Sequence, residues 1–255
     1  FVSQTDWIIG NTTSNNTVTL SKVYSSKNNL ETWDSTIFGW FPDIADVKAT
    51  GKAVYIGKSN GTSGNKLIVE GILRTNKIYI GSANGANNNT LVVSANTLKG
   101  NVSGNIKADE IHIGSESSHG NVLKLEGDLS FVLTDPTTIL LHKGNMLIIW
   151  GISEGSSPEG EELPLTPAAA ATMLADASVQ LKAGWLPDSG SLIIAANAES
   201  LISTSTSPDM RGYTIIRANG AGGPPGTPEP STYALWGSSL LAGLVFLRHR
   251  RRRKG

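Results

Sequence analysis

The chain has 255 residues, 21 basic and 21 acidic side chains, a formal net charge of zero, 16% charged residues and no cysteine. That length allows one sizeable domain or two small ones. The charge balance gives no reason to expect nucleic acid as a partner, and the lack of thiols excludes a disulfide framework and thiolate chemistry.

The balance hides an asymmetry, because Arg248, Arg250, Arg251, Arg252, Arg253 and Lys254 crowd the C-terminus and leave the body mildly acidic. Abundant Gly, Asn, Ser and Thr suit a turn-rich β protein.

In chain order, "WIIGNTTSNNTVTL" (7–20) is a faint first copy of a repeat, and the aromatic-rich "WDSTIFGWFPDIADV" (33–47) reads as an irregular excursion. The repeat is clearest from residue 54 onward. "VYIGKSNGTSGNKLIVEGIL" (54–73) overlies "IYIGSANGANNNTLVVSANTL" (78–98), with Gly57, Asn65, Leu67 and Val69 matching Gly81, Asn89, Leu91 and Val93 at one spacing of 24. "IHIGSESSHGNVLKLEGDL" (111–129) repeats the pattern with Gly114, Asn121, Leu123 and Leu125, and "LLHKGNMLIIWG" (140–151) follows with Asn145, Leu147 and Ile149. "VEGILRTNKIYIG" and "VSGNIKADEIHIG" match at a spacing of 33, which places an insertion around "SANTLKGNV".

Each unit of about 24 residues holds three short strands and three turns, too little to bury its own apolar face. Stacking on identical neighbours solves that problem, so the sequence predicts an all-β fold, a parallel β-helix with one coil per repeat. Val54, Ile56, Leu67, Val69, Ile80, Leu91, Ile113 and Leu123 are the expected inward column. Gly and Asn fall at corners, and Asn65, Asn89, Asn121 and Asn145 are expected to form an amide ladder. An antiparallel sandwich is the alternative that similar strand spacing permits.

"LTPAAAATMLADASVQLKAGW" (165–185) predicts a short helix over 167–183, with Thr166 as N-cap, Pro167 in the first turn and Gly184 as stop. It is expected to cover a side or an open end of the stack, with Leu174, Val179 and Leu181 as its apolar face. "SLIIAANAESL" (191–201) and "YTIIRANG" (213–220) are β-like and complete a domain of residues 1–220. Residues 221–230 form a Gly/Pro linker.

The outward positions carry one candidate binding ladder, Tyr55, Tyr79 and His112, whose rings fall in one row on successive coils. Stacking on sugar rings is the functional expectation for that row, and packing of the rings on one another is the structural one. His119 and His142 lie near corners and His249 in the basic tail. Glu154, Glu159, Glu161 and Glu162 read as a solvated acidic loop. Asn-x-Ser/Thr at Asn11, Asn15, Asn60, Asn88 and Asn101 reads as turn chemistry. No metal-ligand spacing, catalytic serine motif or phosphate loop appears, so no catalytic residue, metal or cofactor is assigned. Asp109 and Glu110 are adjacent and point to opposite faces of a strand, so they cannot act as a catalytic carboxylate pair.

The last 25 residues differ in kind. Ser231 to Leu247 carry no charge, and as a helix they span roughly 25 Å, a little short of the ~30 Å bilayer core. The cationic end belongs on the cytoplasmic side. Pro228-Glu229-Pro230, then Ser231-Thr232, an apolar run and an Arg-rich end resemble the PEP-CTERM sorting signal of Gram-negative bacteria. The resemblance covers about the last thirty residues and is specific in order and spacing. It implies a secretory signal ahead of Phe1, export, and processing by an exosortase-type membrane enzyme. Pro228, Glu229 and Pro230 correspond to the sorting motif. Tyr233, Trp236, Leu240, Leu241, Leu244, Val245, Phe246 and Leu247 correspond to the transient inner-membrane segment, and Arg248, Arg250 to Arg253 and Lys254 to the stop-transfer charges. Exopolysaccharide is the further partner the family points to, with the cell surface or extracellular matrix as destination. The body is similar to autotransporter-like β-helices.

The expected function is therefore that of an exported, non-enzymatic surface or biofilm-matrix protein. A carbohydrate-active β-helix enzyme (a lyase or glycosidase) and a permanently membrane-anchored adhesin are the alternatives.

Overall fold

A computed structural model describes residues 5–20, 46–94, 105–133, 136–156, 162–184 and 198–219. The chain divides into two units, Phe1–Ala218 and Asn219–Gly255, and the architecture below is that of the first. The linker, the apolar run and the basic end all lie outside the described residues, as does most of the aromatic excursion.

The unit is mostly β, built on two seven-stranded sheets that are largely parallel. The first sheet runs in the order β1 (Trp7–Ile9), β3 (Asp46–Ile56), β5 (Ile72–Ile80), β8 (Glu110–Ile113), β10 (Thr137–Leu141) and β14 (Val179–Ala183), with β7 (Asn105–Lys107) beside β5. The second runs β2 (Thr17–Leu20), β4 (Lys66–Val69), β6 (Thr90–Ser94), β9 (Val122–Glu126) and β11 (Met146–Trp150), all parallel. Two antiparallel strands, β16 (Tyr213–Ala218) and β15 (Ile202–Ser205), finish it. A separate antiparallel pair joins β12 (Ile152–Ser156) to β13 (Glu162–Pro164).

Apart from β7 and β8, which follow one another in the first sheet, the chain alternates between the two sheets up to β11, and equivalent strands of successive repeats pair in parallel. Val54 lies opposite Ile78, Ile78 opposite Ile111, and Ile111 opposite Ile139. Ile56, Ile80 and Ile113 are likewise neighbours in one row. In the second sheet Leu67, Leu91, Leu123 and Leu147 form a row, as do Val69, Val93, Leu125 and Ile149. These side chains are fully buried in one core. Each contributes roughly 1.5–3 kcal/mol relative to leaving it exposed. Parallel pairing at repeat spacing sets the antiparallel sandwich aside.

The three short strands expected per unit take a different form. β5 is continuous, but its first part pairs with β7 and its second with β8. The register of β3 on β5 shifts between Ala49 and Ala53, and there the Thr75 hydroxyl donates to the Lys52 carbonyl at 2.8 Å. One continuous strand with two partners thus takes the place of two short ones.

The helix is shorter than the sequence predicts. Its start is as expected, since the Thr166 hydroxyl accepts from the Ala169 N–H at 3.2 Å and Pro167 opens the first turn. This helix, α2 (Pro167–Asp176), is the second of three among the described residues. Ser178 then adopts φ 59, and Val179–Ala183 becomes a strand, parallel to β10. Val179, Leu181 and Ala183 alternate at period two, and that strand burial outweighs the continuation of an Ala-rich helix. Ala170, Ala171 and Leu174 are the buried face of α2, which packs on β14, the last strand of the first sheet. A second correction concerns Ala198–Leu201, read as β-like, which forms the short helix α3 ahead of β15. The remaining short helix, α1, is Leu129–Val132.

Candidate functional site

Two side-chain rows run along the repeats, one buried and one on the surface. The buried row consists of asparagines at the corner before each parallel strand of the second sheet, β2, β4, β6, β9 and β11. Asn65 Nδ2 donates to Asn89 Oδ1 at 2.9 Å, Asn89 Nδ2 to Asn121 Oδ1 at 3.1 Å, and Asn121 Nδ2 to Asn145 Oδ1 at 2.9 Å. Each acceptor oxygen also takes the backbone N–H of the preceding asparagine. Asn16 joins at the N-terminal end, donating to Asn65 Oδ1 at 2.8 Å, a rung the sequence reading did not find. Asn145 closes the other end by donating to the carbonyls of Ser118, His142 and Lys143. A buried amide satisfied on both sides rigidifies the corner, because any displacement strands several polar groups at once.

The glycines flanking this row are set by it. Gly57, Gly81 and Gly114 all have positive φ, and a Cβ on each would run into the amide of Asn89, Asn121 and Asn145 respectively. These are corners where only glycine fits.

The surface row is the predicted ladder. Tyr55 and Tyr79 lie opposite each other on β3 and β5, and Tyr79 lies opposite His112 on β8. Their rings stack face to face, with centroids 4.9 Å apart for the tyrosines and 4.6 Å for Tyr79 and His112. Lys58 Nζ lies 4.5 Å from the Tyr55 ring centroid. Both faces of Tyr79 are therefore occupied by protein, and a ligand meets the ring edges of this row. Burial, and then the Asp6 carboxylate, push the Tyr55 phenol up.

The register also assembles a group that sequence reasoning missed. Lys77 and Glu110 lie opposite each other, with Lys77 Nζ 2.7 Å and His112 Nε2 3.0 Å from Glu110 Oε2. Hydrogen bonds from Lys77 and then His112 hold the Glu110 carboxyl below the usual carboxylate range, and the Glu110 hydrogen bond raises Lys77. The pair is solvent-accessible, so it contributes less than about 1 kcal/mol to stability. Its electrostatic role is to hold a fixed charge beside the imidazole.

His142 occupies a corner, where its Nδ1 is buried with no hydrogen-bond partner. Gly184 packs so closely on its ring that a Cβ there would overlap it. Burial, and then the charge of His112, lower the His142 pKa. The unfolded chain therefore takes up a proton more readily than the folded one. Stability is complete above the ordinary imidazole value of about 6.5 and declines as pH falls through it. Urea midpoints should fall between about pH 7.5 and about pH 5.5, and His142→Gln should flatten that slope. Glu110 acts lower, its contribution vanishing as pH falls through its depressed value.

Among the described residues no cluster of three or more His, Asp or Glu side chains is placed to hold a metal ion, and no helix is long and apolar enough to cross a membrane. The sorting residues Pro228 to Pro230, the apolar run and Arg248 to Lys254 lie outside the described residues. No family model matches the chain, and no curated protein or solved structure is significantly similar to it.

Proposed function

We propose that residues 1–220 form a parallel β-solenoid, one coil per repeat, acting as a non-enzymatic rod of the cell surface or extracellular matrix. Residues 228–255 act as its PEP-CTERM-type export and processing signal. The observation that carries the rod is the asparagine chain from Asn16 to Asn145, which links the corners of successive repeats through buried amides. Such a column supports length and stiffness, the properties a surface or matrix element needs. The tail reading rests on the order Pro228-Glu229-Pro230, an uncharged run, and a cationic end.

A second reading, a carbohydrate-active enzyme, is favoured by one observation, the Lys77–Glu110–His112 cluster on an outer face. It ranks lower because hydrogen bonds from Lys77 and then His112 hold the Glu110 carboxyl below the usual carboxylate range, the opposite of what a general acid requires. Turnover of any polysaccharide by the full chain would reverse this ranking.

The tail is tested by mass spectrometry of the C-terminus after expression in a Gram-negative host with and without an exosortase. With the enzyme, the protein should lose Arg248 to Lys254, and Glu229→Ala should retain them. An intact cationic end in both hosts would instead indicate a permanently anchored adhesin.

A further inference from the structure

The repeats do not account for Trp150. It ends β11 on the outer face of the second sheet with 47% of its surface exposed. It is nevertheless firmly seated. Gly212, at φ +79, lies so close beneath the indole that a Cβ there would overlap the six-membered ring. Tyr213 meets the indole edge-on with centroids 5.1 Å apart. Glu162 Oε2 accepts the Gly212 N–H at 2.9 Å, which fixes the seat. Polar groups border the platform, since Lys124 Nζ lies 4.7 Å from the Tyr213 ring centroid and 2.6 Å from Glu126 Oε1.

We propose that Trp150 is the stacking platform of a glycan site that takes equatorially substituted pyranose chains. The Lys124–Glu126 pair and the Tyr213 hydroxyl supply hydrogen bonds to the sugar hydroxyls. An exposed, pre-seated indole gives a flat apolar face at little ordering cost. A partner that covers it must bring polar groups within one ring's width of apolar ones. A pyranose does this, with axial C–H groups on its face and hydroxyls around its rim. In the Tyr55–Tyr79–His112 row, by contrast, the Tyr79 ring has both faces occupied by its neighbours. This deepens the matrix reading, and rests on it only for the class of polymer the protein meets.

The test uses the full chain in mild detergent, titrated with cellohexaose and with chitohexaose. The readout is the indole N–H resonance of Trp150, identified among the six tryptophans as the signal missing in Trp150→Phe. With at least one hexasaccharide that resonance should shift and saturate. Trp150→Ala should weaken binding at least about tenfold, while Trp150→Phe keeps most of it. Circular dichroism checks that both variants fold. Absence of a shift with both sugars, or unchanged affinity in Trp150→Ala, overturns the proposal. A shift that follows protein concentration alone also overturns it, and assigns the patch to self-association. None of these outcomes alters C-terminal processing, so the site and the sorting signal fail separately.

Discussion

Asn89→Ala should lower the unfolding free energy by about 3–5 kcal/mol, far more than most polar substitutions in a loop. Asn89 is fully buried at the middle of the amide row. Its oxygen accepts both the backbone N–H and the side-chain N–H of Asn65, at 3.1 and 2.9 Å. Its nitrogen donates to Asn121 Oδ1 at 3.1 Å and to the Thr62 carbonyl at 3.4 Å. Alanine leaves two donors of Asn65 and the Thr62 carbonyl without these bonds, in a corner closed to bulk water. Asn89→Asp separates the two halves of this effect. It keeps an acceptor for Asn65, but sets a carboxylate against Asn121 Oδ1, so it should be at least as damaging at neutral pH and partly recover in acid as the carboxyl is protonated. Asn16→Ala, at the end of the row, removes donors only and should cost about 1 kcal/mol. Urea unfolding of the three variants measures the series. A loss below about 1 kcal/mol for Asn89→Ala would mean the row is not what holds the corners.

How much of this was legible depended on whether a feature repeats. Gly57, Gly81 and Gly114 recur at matching positions with Asn65, Asn89, Asn121 and Asn145, so the shared corner and the amide row could be read directly. Asn16 escaped because it lies only 6 positions after Gly10, whereas Asn65 and Asn89 lie 8 after Gly57 and Gly81, and Asn121 lies 7 after Gly114. The backbone just before the rung is the same, since Asn15 at φ 61 adopts the left-handed conformation that Gly64 adopts at φ 69. Asparagine tolerates that region, so the geometry persisted while the letter changed. The end of α2 was hidden for another reason. Residues 167–176 favour a helix by composition, and Leu181, seven residues after Leu174, fits the same helix face as well as it fits the period-two row of Val179 and Ala183. Only pairing with β10 decides it. The Lys77–Glu110 contact depends on parallel register across an insertion, and the Trp150–Tyr213 contact on the antiparallel return of β16. The first follows from the spacing of 33 that aligns Lys77 with Glu110, whereas the second leaves no trace in the repeat.

Gly81→Ala should cost about 3 kcal/mol or more, and Gly61→Ala only about 1–2 kcal/mol, although both residues have the same backbone. Their φ values are +69 and +73. Each substitution therefore bears a similar left-handed penalty. The surroundings differ, since a Cβ on Gly61 meets nothing within 4 Å while one on Gly81 overlaps the amide of Asn121. The difference between the two losses is thus the cost of displacing one rung of the buried row. A double-mutant cycle isolates it. Asn121→Ala is itself strongly destabilising, but it empties the space that the added methyl group at position 81 needs. The pair Gly81→Ala/Asn121→Ala should accordingly lose less than the sum of the single losses, by about 1–2 kcal/mol. Strict additivity would show that a backbone shift accommodates the methyl group, and that glycine is required at this corner for its φ alone.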